Sequence, residues 1–194
     1  MKLKAKIVSI GMASILVGFA IHPTTSNAQQ SIKLEIAQFE DDNRLIWPAN
    51  FESWVFLGTT MGMTYFDEEP DPADPGLMSS VFIEPEAYQY FETHGEFADG
   101  TMFVKSVKQT LSEGGGFFMG EELGIEVHVK DRERFPKHGY NFYFFPAGSE
   151  TAAAMPEDNI CVSCHQENAA FDNVFIQFYP SIRRKLDGRK AAAD

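Results

Sequence analysis

Both cysteines of this 194-residue chain fall in one four-residue window, Cys161-Val162-Ser163-Cys164, and His165 follows at once. The fold must therefore carry two thiols and an imidazole at one point near the C-terminus. C-x-x-C-H is the attachment signature of c-type haem. Two thiols add to the two vinyl groups of the porphyrin, and the intervening pair of residues sets their separation. The next residue, histidine, swings beneath the ring and gives a nitrogen to the iron. Zinc is the rival, but a structural zinc site takes four ligands and this motif supplies three. A disulfide across so short a ring constrains the unfolded chain little. A redox-active CxxC typically sits near a βαβ pattern, which this sequence lacks. The motif reads as the site of one covalent haem c, with Cys161 and Cys164 as thioether residues and His165 as the metal ligand.

The N-terminus agrees with that chemistry. Lys2, Lys4 and Lys6 precede an apolar run from Ile7 to Ile21, and Ser26-Asn27-Ala28 offers small residues before a cleavage point. This is the pattern of a secretory signal peptide over residues 1–28, leaving one domain over residues 29–194. The run is shorter than the ~20 apolar residues a membrane span needs. Export points to the periplasm, where bacterial c-type haem is assembled. Removing residues 1–28 takes away three lysines and no acid, so the formal charge falls from −12 to −15. Such a surface repels nucleic acid and anionic membranes. It tolerates small neutral ligands and a basic redox partner protein.

Strand signals dominate the middle of the chain. Ser53–Tyr65, Ser80–Ile83, Thr101–Gln109 and Asn141–Phe145 are rich in aromatic and β-branched residues. Ile125, Val127 and Val129 alternate with Glu126, His128 and Lys130, which predicts a half-buried strand with His128 on its polar side. Pro85–His94 reads as a short helix that Gly95 ends. Gly114-Gly115-Gly116 allows a positive-φ turn. Asp67–Pro75 is an acidic, proline-rich loop without the spacing of an EF-hand. From Ala152 to Asp187 the pattern is helical. The expected class is α+β, a mainly antiparallel sheet with a few helices.

The second axial position decides what the iron does. A methionine there suits electron transfer, and Met119 and Met155 are the methionines to watch. Among histidines, His94 at the end of the short helix is the first candidate, ahead of His128 and His138. With eighteen phenylalanines in the chain, the pocket should be aromatic, and Phe97 is the candidate to stand over the iron.

Three segments carry a resemblance: "FIEPEAYQYFETHGEFADGTMFVKSV", "GGGFFMGEELGIEVHVKDRERF" and "CVSCHQENAAFDNVFIQFYPSIR". Together they resemble the cytochrome P-460 family, which includes the cytochromes c′-beta. The resemblance implies an antiparallel sheet with helices, one five-coordinate haem c, an open distal side for small nitrogen ligands, and a homodimer. It also implies one of two activities. Cytochromes P-460 oxidise hydroxylamine, and cytochromes c′-beta bind gases such as nitric oxide. Cys161, Cys164 and His165 match the attachment residues. P-460 haem carries an extra lysine link, expected in the short helix, where this chain reads Glu92-Thr93-His94-Gly95 without a lysine. That departure favours binding or processing of nitrogen oxides over hydroxylamine oxidation, leaving open whether the protein is an enzyme. Were it the oxidase, an oxidoreductase, a carboxylate would remove protons, and Glu92, Glu96 and Glu157 are the candidates. An electron carrier with a filled sixth position is the third reading.

Overall fold

The computed structural model describes residues 32–41, 43–63, 71 and 74–193. The signal-peptide reading of residues 1–28, with His22, lies outside the described residues, as do Tyr65 and most of the acidic loop. Two antiparallel sheets and three helices make up the described chain. Strands β1 (Phe39–Glu40), β2 (Arg44–Ile46) and β8 (Thr151–Ala153) form a small sheet in the order β1-β2-β8. The larger sheet runs β3 (Val55–Met61), β4 (Met78–Ile83), β5 (Met102–Glu113), β6 (Gly116–Lys130), β7 (Tyr140–Pro146), each strand beside its sequence neighbour. The α+β reading with a mainly antiparallel sheet holds.

Alternation in β5 and β6 explains the layering. Ile125, Val127 and Val129 point to one face and pack with Val104, Leu45 and Ala152 in a core shared with the small sheet. The other face presents Ile83 and Phe103 to α1 (Pro85–His94) and α3 (Pro180–Ala193), where Phe91, Ile182 and Leu186 complete a second core. His128 also belongs to that second face and is only 8% exposed. The strand was expected to have a solvated side there. That side is covered instead, because chain from the C-terminus returns over it.

Local signals set the elements. Helix α1 starts where the Glu84 carboxylate accepts from the backbone of Glu86 and Ala87, with Pro85 in the first turn. It stops at Gly95, which has a φ of 77°. The β5–β6 turn uses Gly114 and Gly115 at φ 57° and 82°, the paired positive values that a two-residue hairpin requires. The C-terminal region differs from its expected continuous helix. It begins with β8, then forms α2 (Ile160–Asn168), a strap over residues 169–179 with only a single 3-10 turn at Ile176–Phe178, and α3. Asp172 and Asn173 adopt positive φ and Pro180 disfavours helix in the residue before it, so the helix cannot run through. The small sheet was not foreseen, since strands of two or three residues carry no periodicity.

Gly100 follows the Ala98-Asp99 corner at φ 87°. A Cβ there would run into the Leu34 carbonyl, whose own backbone N–H donates to the Asp99 carbonyl at 2.7 Å. Gly100→Ala should therefore destabilise the fold by more than ~1 kcal/mol, measured by urea unfolding. Wild-type stability in that variant would show that the N-terminal segment moves aside freely.

Candidate haem site

Helix α2 is started by Asn159, whose side chain accepts from the backbone of Cys161 (2.8 Å) and Val162 (3.2 Å). This cap fixes the first turn. Val162, 3% exposed, then anchors the helix against Tyr140 and Phe142 of β7. With Val162 turned inward, Cys161, Cys164 and His165 fall at i, i+3 and i+4, which share one helical face. Both thiols are free. Burial pushes the Cys161 thiol pKa up, with the Glu126 carboxylate adding to it.

His165 is held from three directions. Its Nδ1 lies 2.6 Å from the Asn173 carbonyl. A carbonyl only accepts, so Nδ1 carries the proton and donates. The rings of Phe175 and Phe142 stand 4.5 Å and 4.6 Å from the imidazole centroid. Burial lowers the His165 pKa, against the opposing pull of the Asn173 carbonyl. The neutral ring therefore keeps the lone pair of Nε2 for a metal, the usual arrangement of a histidine ligand whose other nitrogen is hydrogen-bonded.

Cys161, Cys164 and His165 all line one cavity of about 540 Å³. That size is within the ~300–1,000 Å³ of small-molecule sites. One wall comes from the large sheet, with Val81, Phe103 and Phe142; the strap supplies Val174, Phe175 and Phe178. The lining is mostly apolar and aromatic. Two thiols and an oriented imidazole on one wall of an apolar cavity fit a haem attached through both cysteines. Among the described residues no three His, Cys, Asp or Glu side chains form a metal cluster, so a porphyrin would have to supply the remaining donors to an iron at His165.

Three polar residues stand on the sheet wall; the sequence ranked His128 below His94 as a haem candidate and placed neither Lys105 nor Glu126 in the site. Lys105 and Glu126 face each other across β5 and β6 and pair at 3.1 Å inside the cavity. His128 touches His165 with ring centroids 5.3 Å apart and planes at 74°. Burial drives its pKa well below the ordinary histidine value, and the neighbouring His165 and Lys130 push the same way. It is thus a neutral imidazole in edge contact with His165, leaving no room for a porphyrin between the two rings. The signal was the polar series of β6, assigned to solvent for want of knowing what covers it.

The other sequence candidates lie elsewhere. Glu92 pairs with Lys185 at 2.9 Å, Glu96 accepts from the Tyr90 hydroxyl at 3.3 Å, and Glu157 is exposed; none lines the cavity. His94 stacks on Tyr90 at the exposed end of α1. His138 borders a smaller cavity of about 110 Å³. Met119 is exposed on the β5–β6 hairpin, and Met155 packs behind α2, whereas Met63 lines the large cavity. Phe97 is in the helix-side core, stacked on Phe91 at 4.6 Å, and borders the small cavity rather than the large one. Its distance from the cavity is a packing result: α1 ends above it and Phe171 closes it off. Phe97→Ala should cost ~3–5 kcal/mol in chemical denaturation and leave ligand association at the large cavity unchanged. Faster association with intact stability would put Phe97 on the ligand path.

The family model described as Cytochrome P460 matches residues 48–176, most of the chain and all of the cavity's sheet wall and cysteine motif. No curated protein sequence matches the chain significantly.

Proposed function

The chain belongs to the cytochrome P460 family, and on that footing we propose that it is an exported, periplasmic cytochrome with one covalent haem c that binds or processes small nitrogen oxides such as nitric oxide. Family membership makes it a c-type cytochrome carrying haem iron. The observation that carries the finer reading is the joint opening of Cys161, Cys164 and His165 into one apolar cavity, with His165 Nδ1 already committed to Asn173. Bound haem would supply an iron at which a small nitrogen ligand binds and exchanges electrons. The residues of the chain do the rest. Cys161 and Cys164 hold the group, His165 Nε2 fixes the iron, and Phe103 and Phe142 limit water. An apolar site favours small, nearly neutral molecules, because an anion would lose hydration with little to replace it. The acidic surface biases against anions at longer range. Electrons pass to or from a redox partner protein.

Acid–acetone extraction tests the attachment. Colour should stay on the wild-type polypeptide and be lost from the Cys161→Ala, Cys164→Ala variant; freely extracted wild-type haem would overturn it. The absorption spectrum of the ferrous protein tests the open position, and nitric oxide should change it readily. A low-spin spectrum that nitric oxide cannot displace, but that Met63→Leu converts to high spin, would favour an electron carrier ligated by Met63.

Lys105 and Glu126 support a second reading. The helix position expected to carry a haem-linking lysine has none, yet Lys105 lines the cavity from β5 beside a carboxylate able to take protons. Under the first reading, intact mass equals the mature chain plus haem and the Lys105 tryptic peptide is unmodified. Porphyrin on Lys105, together with hydroxylamine turnover lost in Glu126→Gln, would establish the oxidase.

The homodimer is proposed through the β5–β6 ribbon. Residues 110–119 extend past the paired parts of the neighbouring strands and pair across the ribbon with each other. Leu111 and Phe118 are exposed on one side of the ribbon, Phe117 and Met119 on the other. An isolated two-stranded ribbon is marginal in water, and a second copy would cover it. Light scattering should give a dimer for wild type and a haem-bearing monomer for Leu111→Glu, Phe118→Glu. A monomeric wild type overturns this.

A further inference from the structure

The carbonyl that holds His165 sits at an awkward point of the chain. Phe171, Asp172, Asn173 and Val174 form a tight turn, with Val174 N–H donating to the Phe171 carbonyl at 2.8 Å. Its two central residues have φ of 47° and 58°, the pair of positive values that define a type I′ turn. Asp and Asn tolerate this conformation better than other side-chain-bearing residues, without preferring it. Something must hold the turn in place. On one side Phe171 packs on Phe91 and Phe97, and Val174 is buried. On the other, Asp172 is ion-paired with Lys130 of β6.

We propose that Lys130 and Asp172 are positioning residues for the iron ligand: their ion pair pins the strap to the sheet so that the Asn173 carbonyl stays on His165 Nδ1. Lys130 leaves the same face of β6 as His128 and Glu126, so the wall of the large cavity and the anchor of the strap are one strand. Both partners are shielded, with side chains 15% and 29% exposed, so the pair is screened less than a surface bridge. The small cavity borders Lys130, Asp172 and Asn173. If the pair opens, that cavity admits water to the back of the turn, and water competes with the carbonyl for the His165 proton. The acceptor at Nδ1 sets how electron-rich Nε2 is, so the clamp reaches the metal through the imidazole.

This inference rests on His165 as the iron ligand, and the test separates the two. The iron–histidine stretching band of the ferrous holoprotein is measured by resonance Raman, alongside the reduction potential. Lys130→Met keeps the apolar stem and removes the charge. A loosened clamp weakens the Nδ1 hydrogen bond, lowers the band's frequency and shifts the potential positive. Simple loss of a nearby positive charge would instead shift the potential negative and leave the band alone. Asp172→Asn, which suits the positive φ, should lower the band likewise, and Lys130→Arg should restore it. An unchanged band in both Lys130→Met and Asp172→Asn overturns the clamp. A five-coordinate high-spin ferrous protein without the band, or one that keeps it in His165→Ala, overturns the ligand assignment instead; a low-spin wild type is measured in the Met63→Leu background, where the sixth position is open.

Discussion

Strands β5 and β6 are buried on both faces over most of the paired sheet, and the rest of the molecule follows from that. One face is closed by the small sheet through Leu45 and Ala152, the other by α1, α3 and the strap. A sheet with two covered faces cannot leave charge unpaired on either. The inward polar residues of β5 and β6 obey this in different ways. Lys105 and Glu126 pair across the strands, and Lys130 reaches Asp172 on the strap. His128 gives up its charge, held neutral by burial. Each solution costs desolvation, which is why such residues are rare in a sheet interior. Here Lys105, Glu126 and His128 gather along the wall of the large cavity, where a bound cofactor rather than more core would meet them, and Lys130 with Asp172 borders the small one.

The strap is the second consequence. A continuous helix from Ala152 onward would pass over the sheet and leave His165 facing outward without a fixed orientation. Breaking it at residues 169–179 lets the chain double back beside α2. Gln177 then accepts from Ala170 N–H at 3.1 Å and donates to the Asn168 carbonyl at 2.8 Å, tying the strap to the end of the helix. The doubled-back chain delivers Asn173 and Phe175 to His165 and Phe178 to the cavity mouth. Thus the orientation of His165 depends on the segment after the motif, and that segment is tied to β6 through Lys130 and Asp172.

Much of this was legible along the chain. The cap, face and stop of α1 are local: Pro85, Tyr88 with Phe91, and Gly95 act within one helix. The hairpin glycines and the alternation of Ile125, Val127 and Val129 are local too. Asn159 was a readable signal for the start of α2, a capping residue one step before the helix. The cavity wall was not legible. Lys105 and Glu126 meet only because of a cross-strand register set by the β5–β6 turn and its bulges. His128 looked solvated because alternation tells which residues share a face and is silent on what covers that face. Phe97 and His94 do not line the cavity for the same reason, since α1, which ends at His94, and the turn after it, which carries Phe97, pack at another part of the sheet.

The sequence by itself determined that two thiols and an imidazole stand together in one short motif. Two thiols and an imidazole at fixed short spacing need no distant partner to be recognised, because bond lengths and one helical turn set their separation. It also determined the elements whose signals lie within a few residues. Only the tertiary structure decided the environment of that motif: which nitrogen of His165 is free, which carboxylate and lysine share the cavity, and which of the aromatic residues line it. Those contacts join positions as far apart as Lys105 and Cys161, and they exist only after burial has chosen which face of each strand is closed and by what.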